Sequence, residues 1–543
     1  MPRQPHGAAT LAAGIFASRI LGFARDMLLA HLLGSGADPF LVAFRVPNFF
    51  RRLLAEGSLG MAHGAAVSRG LFARGSAAAL ELSRSVCLRL FLLAVPFTVL
   101  LALFALPLAF LLAPGLAAPA LEKSALLLRL CLPYLPLCAV SAIAFAHASA
   151  VGDFRPQAWS PLLLNCLILL AGGCALLLYP GGSTGPAFPL APEVTGTELL
   201  LCLGIVAGGL VQAALGLRVL RRPQCPMPGV TGRLPTANAP AGRDARAILR
   251  ALPASALGAA PQQIHLLAGT MLASFLAPGG ISALYFAERL FELPLGLAGV
   301  AVGLAFLPRL SVLAQGNDMS TFSRTLSGSL RLSAFFCLPA AAGLFALALP
   351  LADVLFGHGS FSQEQVLCTA AALRACSLGL PAMCAARPLL AAAHALGLEH
   401  VPLRTACLSL LALVPVSLAG MFLAGETPYG AVAGLASGLT AGAWANAFFL
   451  LRHLRANGVA CPLRPATRPL LSYTAGALFM AVAVSALARQ FSPFSAGALL
   501  LLVGVCFGLW IGVFYALGNT DARSLPGLLR GGRWEPGEKR RDS

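Results

Sequence analysis

Five arginines between Ser18 and Gly57 could do chemistry, because the stretch around them otherwise has the hydropathy of two transmembrane helices. They are Arg19, Arg25, Arg45, Arg51 and Arg52, and the acids Asp26, Asp38 and Glu56 lie among them. An arginine that faces lipid at bilayer depth costs roughly 2.5–3.5 kcal/mol even on the lenient insertion scale. We therefore expect these side chains to face a water-filled or protein-lined cavity. So much fixed positive charge predicts an anionic ligand.

The second of these helices carries a polar stripe, whose members lie within about 60° of one another on an ideal helix. It consists of Asp38, Arg45, Asn48, Arg52 and Glu56. Arg51 points about 100° away from the stripe, although Pro47 is expected to kink the helix and shift that angle. Two alternatives stay open. Asp38 before Pro39 has the pattern of a helix N-cap, and Arg51 and Arg52 can reach the lipid headgroups if the helix ends early.

The composition indicates an all-α polytopic membrane protein. The chain has 543 residues, of which 58% are hydrophobic and 11% charged, and its mean hydropathy is +0.81, which excludes an ordinary soluble domain. At about 20 residues per span, the sequence predicts fourteen helices. They lie at 8–32, 38–66, 85–112, 124–150, 157–179, 197–219, 247–276, 281–308, 328–355, 364–396, 402–423, 428–451, 470–488 and 494–517.

The net charge of +18 is concentrated in alternate loops between these helices. This alternation follows the positive-inside rule and predicts an even number of spans with both termini in the cytoplasm. It accounts for the basic composition without nucleic-acid binding.

A repeat at an offset of 244 residues predicts two parallel lobes. Residues 27–45 align without gaps on residues 271–289, which pairs Arg45 with Arg289. Six helices per unit keep the orientation, and transporters built this way bind substrate between the two halves. The predicted organisation is an N-lobe at 1–222, a basic cytoplasmic linker at 223–246, a C-lobe at 247–455, helices 13 and 14 at 456–520, and a basic cytoplasmic tail at 521–543.

Arg289, with Glu288 beside it, places a cation on the second half as well. The planar guanidinium fork stays charged and can bind phosphate oxygens bidentately, so a pyrophosphate headgroup would match such a cluster.

Chemistry of other kinds has little support in the sequence. The fourteen cysteines form no CxxC pair and no His/Cys cluster, so we expect neither disulfides nor a metal site. The sequence contains no P-loop, GxSxG or HExxH motif, which argues against ATP hydrolysis and against an enzyme. We expect a transporter without a cofactor, driven by the membrane potential or an ion gradient.

Three segments resemble the MurJ (MviN) family of lipid II flippases in the MOP superfamily. They are SRILGFARD, ADPFLVAFRVPNFFRRLLAEG and FAERLFELPLGLAGVAVGLAFLP. The resemblance implies that the chain moves undecaprenyl-pyrophosphate-linked peptidoglycan precursor from the inner to the outer leaflet of the bacterial inner membrane, by alternating access. AERL stands where many members have ADRL.

By motif, the family's cavity arginines fall on Arg19, Arg25, Arg51 and Arg289, and its important acid falls on Asp38. Helices 13 and 14 would form its groove for the lipid tail. Together with the stripe, this gives the predicted substrate-binding set of Arg19, Arg25, Asp26, Asp38, Arg51, Arg52 and Arg289. The predicted supporting residues are Arg45, Asn48, Glu56 and Glu288.

The expected partners are lipid II, membrane lipids and the cell-wall synthesis machinery. The alternative function is a related exporter of another polyprenyl-linked oligosaccharide or of drugs. A drug-cation exporter would be expected to carry acids in its cavity. A non-transporting scaffold would need no cavity charges, and a membrane glycosyltransferase would be expected to have catalytic acids in its loops.

Overall fold

The architecture is taken from a computed structural model, which describes most of the chain in two compact units. The described residues are 5–56, 58–179, 187–188, 191–221, 252–296, 301–316, 318–398, 400–424, 427–459, 464–490, 495–517, 519 and 521–522. The predicted linker at 223–246 and residues 523–543 of the predicted tail lie outside them. The first unit comprises Met1–Ser282 and Gly359–Phe361, and the second comprises Ala283–His358 and Ser362–Ser543.

The first unit is built mainly from helices. They are α1 (Pro5–Leu33), α2 (Ala37–Arg51), α3 (Ser58–Leu103), α4 (Ala105–Leu112), α5 (Ala118–Cys131), α6 (Tyr134–Ala150), α7 (Arg155–Leu178), α8 (Gly196–Arg221) and α9 (Leu252–Ala273). A 3-10 turn at Gly34–Gly36 joins α1 to α2, and a π-helical turn at Arg52–Glu56 follows α2. Two short antiparallel strands, β1 (Ala187–Phe188) and β2 (Ala191–Thr195), precede α8.

The helix α10 (Gly280–Pro294) begins in the first unit and continues into the second. The helices after it are α11 (Ala301–Gln315), α12 (Met319–Ala346), α13 (Ala348–Phe356), α14 (Gln363–Ser377), α15 (Leu380–Ala395), α16 (Val401–Leu423), α17 (Pro428–Ala456), α18 (Arg464–Gln490) and α19 (Ala496–Ala516).

The helical, membrane-spanning character expected from the composition is confirmed. Among the described residues, nine helices are long and apolar enough to cross a membrane, or up to eleven if each of two bent pairs is one span. The bent pairs are α5 with α6, at an angle of 43°, and α14 with α15, at 48°. Proline lies at the start of the helix that follows the second bend, where its missing N–H does no harm.

Several boundaries differ from those expected. The span expected at 38–66 ends as a regular α-helix at Arg51, after Pro47. The one expected at 85–112 belongs to the longer α3, which is broken at Gly75 (φ 85°), and to the separate α4. Left-handed φ values are accessible mainly to glycine, so the break occurs there.

Close glycine contacts pack the helices of the second unit. The backbones of α16 and α17 approach each other so closely that a Cβ at Gly434 would fall on the backbone of Gly420. A Cβ at Gly438 would collide with Ser417 in the same way. In lipid, helices associate through van der Waals contact between small residues rather than through the hydrophobic effect, so this contact depends on the missing side chains.

We predict that Gly434→Val lowers the thermal unfolding temperature of the detergent-solubilised protein. Overpacking of this kind typically costs about 1–3 kcal/mol. Gly504→Val on α19 is the matched control, because no atom of the part of the chain described by the structure lies within 4 Å of its added Cβ. Equal melting temperatures for Gly434→Val and the wild type would contradict the close packing of α16 on α17.

Candidate functional site

Arg25 lies in the interior of the first unit, and its side chain is 10% exposed. Its Nε and Nη2 donate to Oδ1 of Asp26 at 3.0 and 2.6 Å, and its guanidinium carbon lies 5.3 Å from the ring centroid of Phe44. A buried charge is tolerated when it is both paired and hydrogen-bonded. The contacts from α1 and α2 therefore hold Arg25 inside the helical bundle in a defined orientation.

Asn165 on α7 is a site residue that sequence reasoning missed. Its Oδ1 accepts from Nη1 of Arg25 at 3.0 Å, and its Nδ2 donates to the carbonyl of Ser18 at 3.1 Å. A polar amide inside the apolar run of α7 was the available signal, because such groups are buried only when they find hydrogen-bond partners. Asn165 thus fixes the Arg25 fork and joins α7 to α1.

Asp38 caps a helix, but the helix is α10 rather than its own. Its carboxylate accepts from the backbone N–H of Gly279 and of Ser282, each at 2.8 Å, and from the Ser282 hydroxyl. Helix α2 itself has Gly36 as its N-cap, without a side-chain cap. A carboxylate at a helix N-terminus satisfies free N–H groups and complements the helix dipole.

The residues of the polar stripe on α2 form hydrogen bonds with different partners. Arg45 is buried and donates from Nη1 to the carbonyl of Leu266 on α9 at 3.1 Å. Arg51 donates from Nε and Nη2 to Oδ1 of Asn48, at 3.2 Å each. The off-stripe arginine is thereby tied to a stripe residue one turn earlier.

Three more of the predicted site residues belong to the first unit. Arg52 begins the π-helical turn and is half-buried, and Arg19 on α1 is also half-buried. The side chain of Glu56 lies outside the described residues.

Arg289 belongs to the second unit and is held on α10. Its Nη1 lies 2.7 Å from Oε2 of Glu292, and its guanidinium carbon lies 4.6 Å from the ring centroid of Tyr285. The neighbouring Glu288 is buried. Like Arg25, Arg289 is therefore accompanied by a carboxylate and an aromatic ring, a combination that suits a guanidinium in a low-dielectric interior.

Two glycine contacts join distant parts of the first unit. A Cβ at Gly115 would lie 2.6 Å from the carbonyl oxygen of Ser274, and one at Gly359 would lie 2.6 Å from the carbonyl oxygen of His31. Each contact carries a hydrogen bond. The N–H of Gly115 donates to Ser274 Oγ, and the N–H of Ser360 donates to the His31 carbonyl, both at 2.9 Å.

The side chains described above include guanidinium groups that can bind an anion. Among the described residues, no group of three or more His, Cys, Asp or Glu side chains could hold a metal ion. A guanidinium fork that is paired with a carboxylate, as in Arg25 and Arg289, can exchange that partner for phosphate oxygens.

Comparison with known proteins shows the family of the chain. The family model described as "Lipid II flippase MurJ" matches residues 29–505. The chain belongs to the MurJ family. It is 31% identical to a probable lipid II flippase MurJ of Rhizobium meliloti, over 82% of this chain and 79% of that protein. The identity is 34% to the corresponding protein of Vibrio cholerae, over 67% of each chain.

Solved structures show a similar fold. A lipid II flippase MurJ in an inward closed conformation superposes with a TM-score of 0.72 at 20% identity, covering 93% of this chain and 98% of that one. An inward-facing multidrug transporter of the MATE family, from the MOP superfamily, gives a TM-score of 0.61 at 15% identity, covering 81% and 95%. MurJ-type and MATE-type transporters thus share this helical architecture.

We predict that Asn165→Ala destabilises the first unit, because Arg25 and the Ser18 carbonyl each lose a buried hydrogen-bond partner. Leaving buried polar groups unsatisfied costs about 1–3 kcal/mol, which thermal unfolding in detergent would detect. Cys166→Ala, at the adjacent and half-buried position, is the control and should melt close to the wild type. If both variants melt like the wild type, Asn165 does not anchor Arg25.

Proposed function

We propose that this chain is a lipid II flippase, a multi-pass transporter of the bacterial inner membrane rather than an enzyme. It moves the undecaprenyl-pyrophosphate-linked peptidoglycan precursor from the inner to the outer leaflet. The observation that carries the proposal is that a member of this family has Arg25 in one unit and Arg289 in the other, each on a mainly apolar helix and each with an acid partner.

In this mechanism the arginines bind the pyrophosphate. Asp26 and Glu292 pair with the guanidinium forks and keep them oriented before substrate binds. An incoming diphosphate then takes over the N–H donors, and the bidentate geometry of arginine favours this exchange. Arg19 adds half-buried positive charge on α1, and Arg51 and Arg52 add it at the end of α2 and in the π-helical turn that follows. The driving force would be the membrane potential or an ion gradient, without a cofactor.

Helix lengths support the proposed organisation of fourteen spans in two six-helix lobes plus two C-terminal helices. Helices α2 and α10 have 15 residues each and start 243 residues apart. The bent pairs, at 43° and 48°, occur at equivalent places in the two halves. The proposed N-lobe is 1–222, the proposed C-lobe is 247–455, and the last two helices lie within 456–520. Both termini are in the cytoplasm, and the lipid tail binds to the last two helices.

The two glycine contacts are suited to closing one end of an alternating-access transporter. Gly115 and Gly359 lie 244 residues apart, the offset that separates Arg45 from Arg289. Gly115, in the first half of the sequence, lies against Ser274, which follows the first helix of the second half. Gly359, in the second half, lies against His31 in the last turn of the first helix of the first half. With the Asp38 cap on α10, these contacts would have to break before the end opens, so they help to set the balance between the two states.

We expect the wild-type chain to restore growth to a bacterium depleted of its own lipid II flippase, whereas Arg25→Ala and Arg289→Ala fail. A hydrogen bond to a charged group contributes about 1.5–3 kcal/mol, which is about ten- to hundredfold in affinity. Arg324→Ala, at an exposed position on α12, is the control and should grow normally. Membrane insertion of every variant is checked by immunoblot.

The outcomes distinguish a wrong substrate from a wrong role for the two arginines. A well-inserted wild type that does not restore growth contradicts the proposed substrate. Normal growth of both alanine variants contradicts the role of the arginines while leaving the family assignment intact.

We also expect Gly359→Ala to accelerate hydrogen exchange at the Ser360 amide by about tenfold or more, since the added Cβ separates Gly359 from His31 and strain of this kind costs about 1–3 kcal/mol. Gly397→Ala is the matched control. Gly397 has a similar positive φ (71° against 67°), and no described atom lies within 4 Å of its Cβ position. Unchanged exchange at Ser360 in Gly359→Ala would show that the contact does not depend on the glycine.

A further inference from the structure

A buried chain of hydrogen bonds in the first unit is made of residues outside the proposed headgroup site. It joins His63 and Ser83, both on α3, to His147 on α6. Nε2 of His63 lies 3.2 Å from the Ser83 hydroxyl oxygen, and Nδ1 of His147 lies 2.8 Å from the same oxygen. The two imidazoles and the hydroxyl are almost completely buried. We call these three residues the His63–Ser83–His147 chain.

This chain closes a hairpin within α3. On a straight helix, His63 and Ser83 would lie about 30 Å apart, because each residue adds about 1.5 Å. The break at Gly75, where φ is 85°, instead lets the first arm (58–74) fold back on the second arm (76–103). The hydrogen bond between the two residues therefore holds the two arms together.

Apolar side chains cover the chain on one side. Val67, Ala79 and Val151 each lie four residues from one of its members, and they pack together with Leu71 in one buried cluster. Residues four apart lie on the same face of a helix, so this cluster is the next layer of the same contact. The three polar side chains consequently depend on one another for hydrogen bonds.

The hydrogen bonds of the chain leave no acceptor for an additional proton. The Ser83 hydroxyl also lies 3.0 Å from the carbonyl oxygen of Ala79. A hydroxyl donates one proton and accepts with two lone pairs, so at least one imidazole must donate its N–H to Ser83. Nδ1 of His63 is buried and has no hydrogen-bond partner among the residues that the structure describes. A proton added at that nitrogen would have no acceptor in this part of the chain while the hairpin is closed.

The charged groups that face the two imidazoles also oppose a further proton. His147 faces His63 from α6, and Arg84 on α3 faces His147. Arg84 is held by donating from Nε to the carbonyl of Leu220 on α8 at 2.8 Å. Glu81, two residues before Ser83 on α3, is exposed. An imidazolium in the closed hairpin would be buried beside positive charge, which is costly.

We propose that the His63–Ser83–His147 chain is a proton-binding latch. It holds the two arms of α3 together while both imidazoles are neutral, and it releases them when an imidazole takes up a proton. An imidazole in water takes up a proton at about pH 6.5. Because a charge inside the closed hairpin is costly, the hairpin is most stable above that pH and loses stability as the pH falls below it.

The latch lies next to the turn that carries Arg52, one of the predicted substrate-binding residues. Leu54 in the same π-helical turn packs in one apolar cluster with Val86 on α3 and Ile143 on α6. The latter two residues lie within one helical turn of the latch. Release of the arms would loosen the support of the Arg52 turn, so we expect acid to lower transport. This consequence rests on the proposed function, whereas the latch itself does not.

Hydrogen exchange of residues 63–71 in the detergent-solubilised full chain tests the latch without transport. Protection factors, which correct for the pH dependence of free amides, are compared at about pH 7.5 and about pH 5. Wild-type protection should fall about tenfold or more at the lower pH. In the double variant His63→Gln and His147→Gln, the two values should differ less than about twofold, because the amide side chains do not take up the proton.

His394→Gln is the matched control for the double variant. His394 lies in the last turn of α15, as His147 does in α6, but it is exposed. This variant should keep the wild-type dependence on pH. Equal wild-type protection at the two pH values would overturn the proposal, and so would a wild-type dependence on pH in the double glutamine variant.

Ser83→Ala tests the same hydrogen bonds at neutral pH. It leaves two buried imidazoles without their shared partner, so protection of residues 63–71 should fall about tenfold at about pH 7.5. Ser85→Ala is the control, because Ser85 is half-buried on the same arm and points to another side of the helix. Unchanged protection in Ser83→Ala would show that the chain does not hold the arms.

Transport is measured separately, with a fluorescent polyprenyl diphosphate in vesicles that contain the full chain. Wild-type translocation should fall about fivefold or more between about pH 7.5 and about pH 5, and that of the double glutamine variant less than about twofold. Equal wild-type rates at both pH values would overturn the link between the latch and the Arg52 turn. If the wild type translocates nothing at either pH, the proposed function fails, and the exchange measurement still decides whether the latch exists.

Discussion

The cost of placing a guanidinium group in the interior of a membrane protein governs the arrangement of this chain. Arg25 and Arg289 lie on helices that are mainly apolar, and each is paired with a carboxylate within one turn and with an aromatic ring. A lone charge in this environment would be strongly unfavourable, whereas a paired one is tolerated and stays available for exchange with another anion. Pairing therefore lets each unit keep a guanidinium group in its interior.

Backbone contacts provide the second constraint. Hydrophobic burial contributes little between helices in lipid, so close approach and hydrogen bonds determine which helices meet. Gly434 brings α17 against α16, and Gly115 brings the α4–α5 connection against the end of α9. At Asp38 and at Asp521, a carboxylate joins elements that are far apart in sequence. Conformational change in such a protein means exchanging a few discrete contacts rather than repacking a fluid core.

The helical membrane fold could be predicted because apolar runs of sufficient length have one solution in lipid, where every backbone group must be hydrogen-bonded within the segment. Helix ends were less predictable. The π-helical turn after Arg51 and the bend between α5 and α6 divide runs that hydropathy alone reads as continuous. Hydropathy averages over about 20 residues and does not register a local change in φ.

The sequence by itself determined which charged residues are candidates for the site. Charged side chains inside apolar helices are conspicuous, and their burial cost implies a function wherever they fall. Only the tertiary structure decided their partners. Asp38 caps α10 instead of α2, Asn165 on α7 orients Arg25, and Asp521 pairs with Arg331. These partners lie 140 to 244 residues apart, and a hydrogen bond depends on where the chain returns in space, which no local pattern encodes.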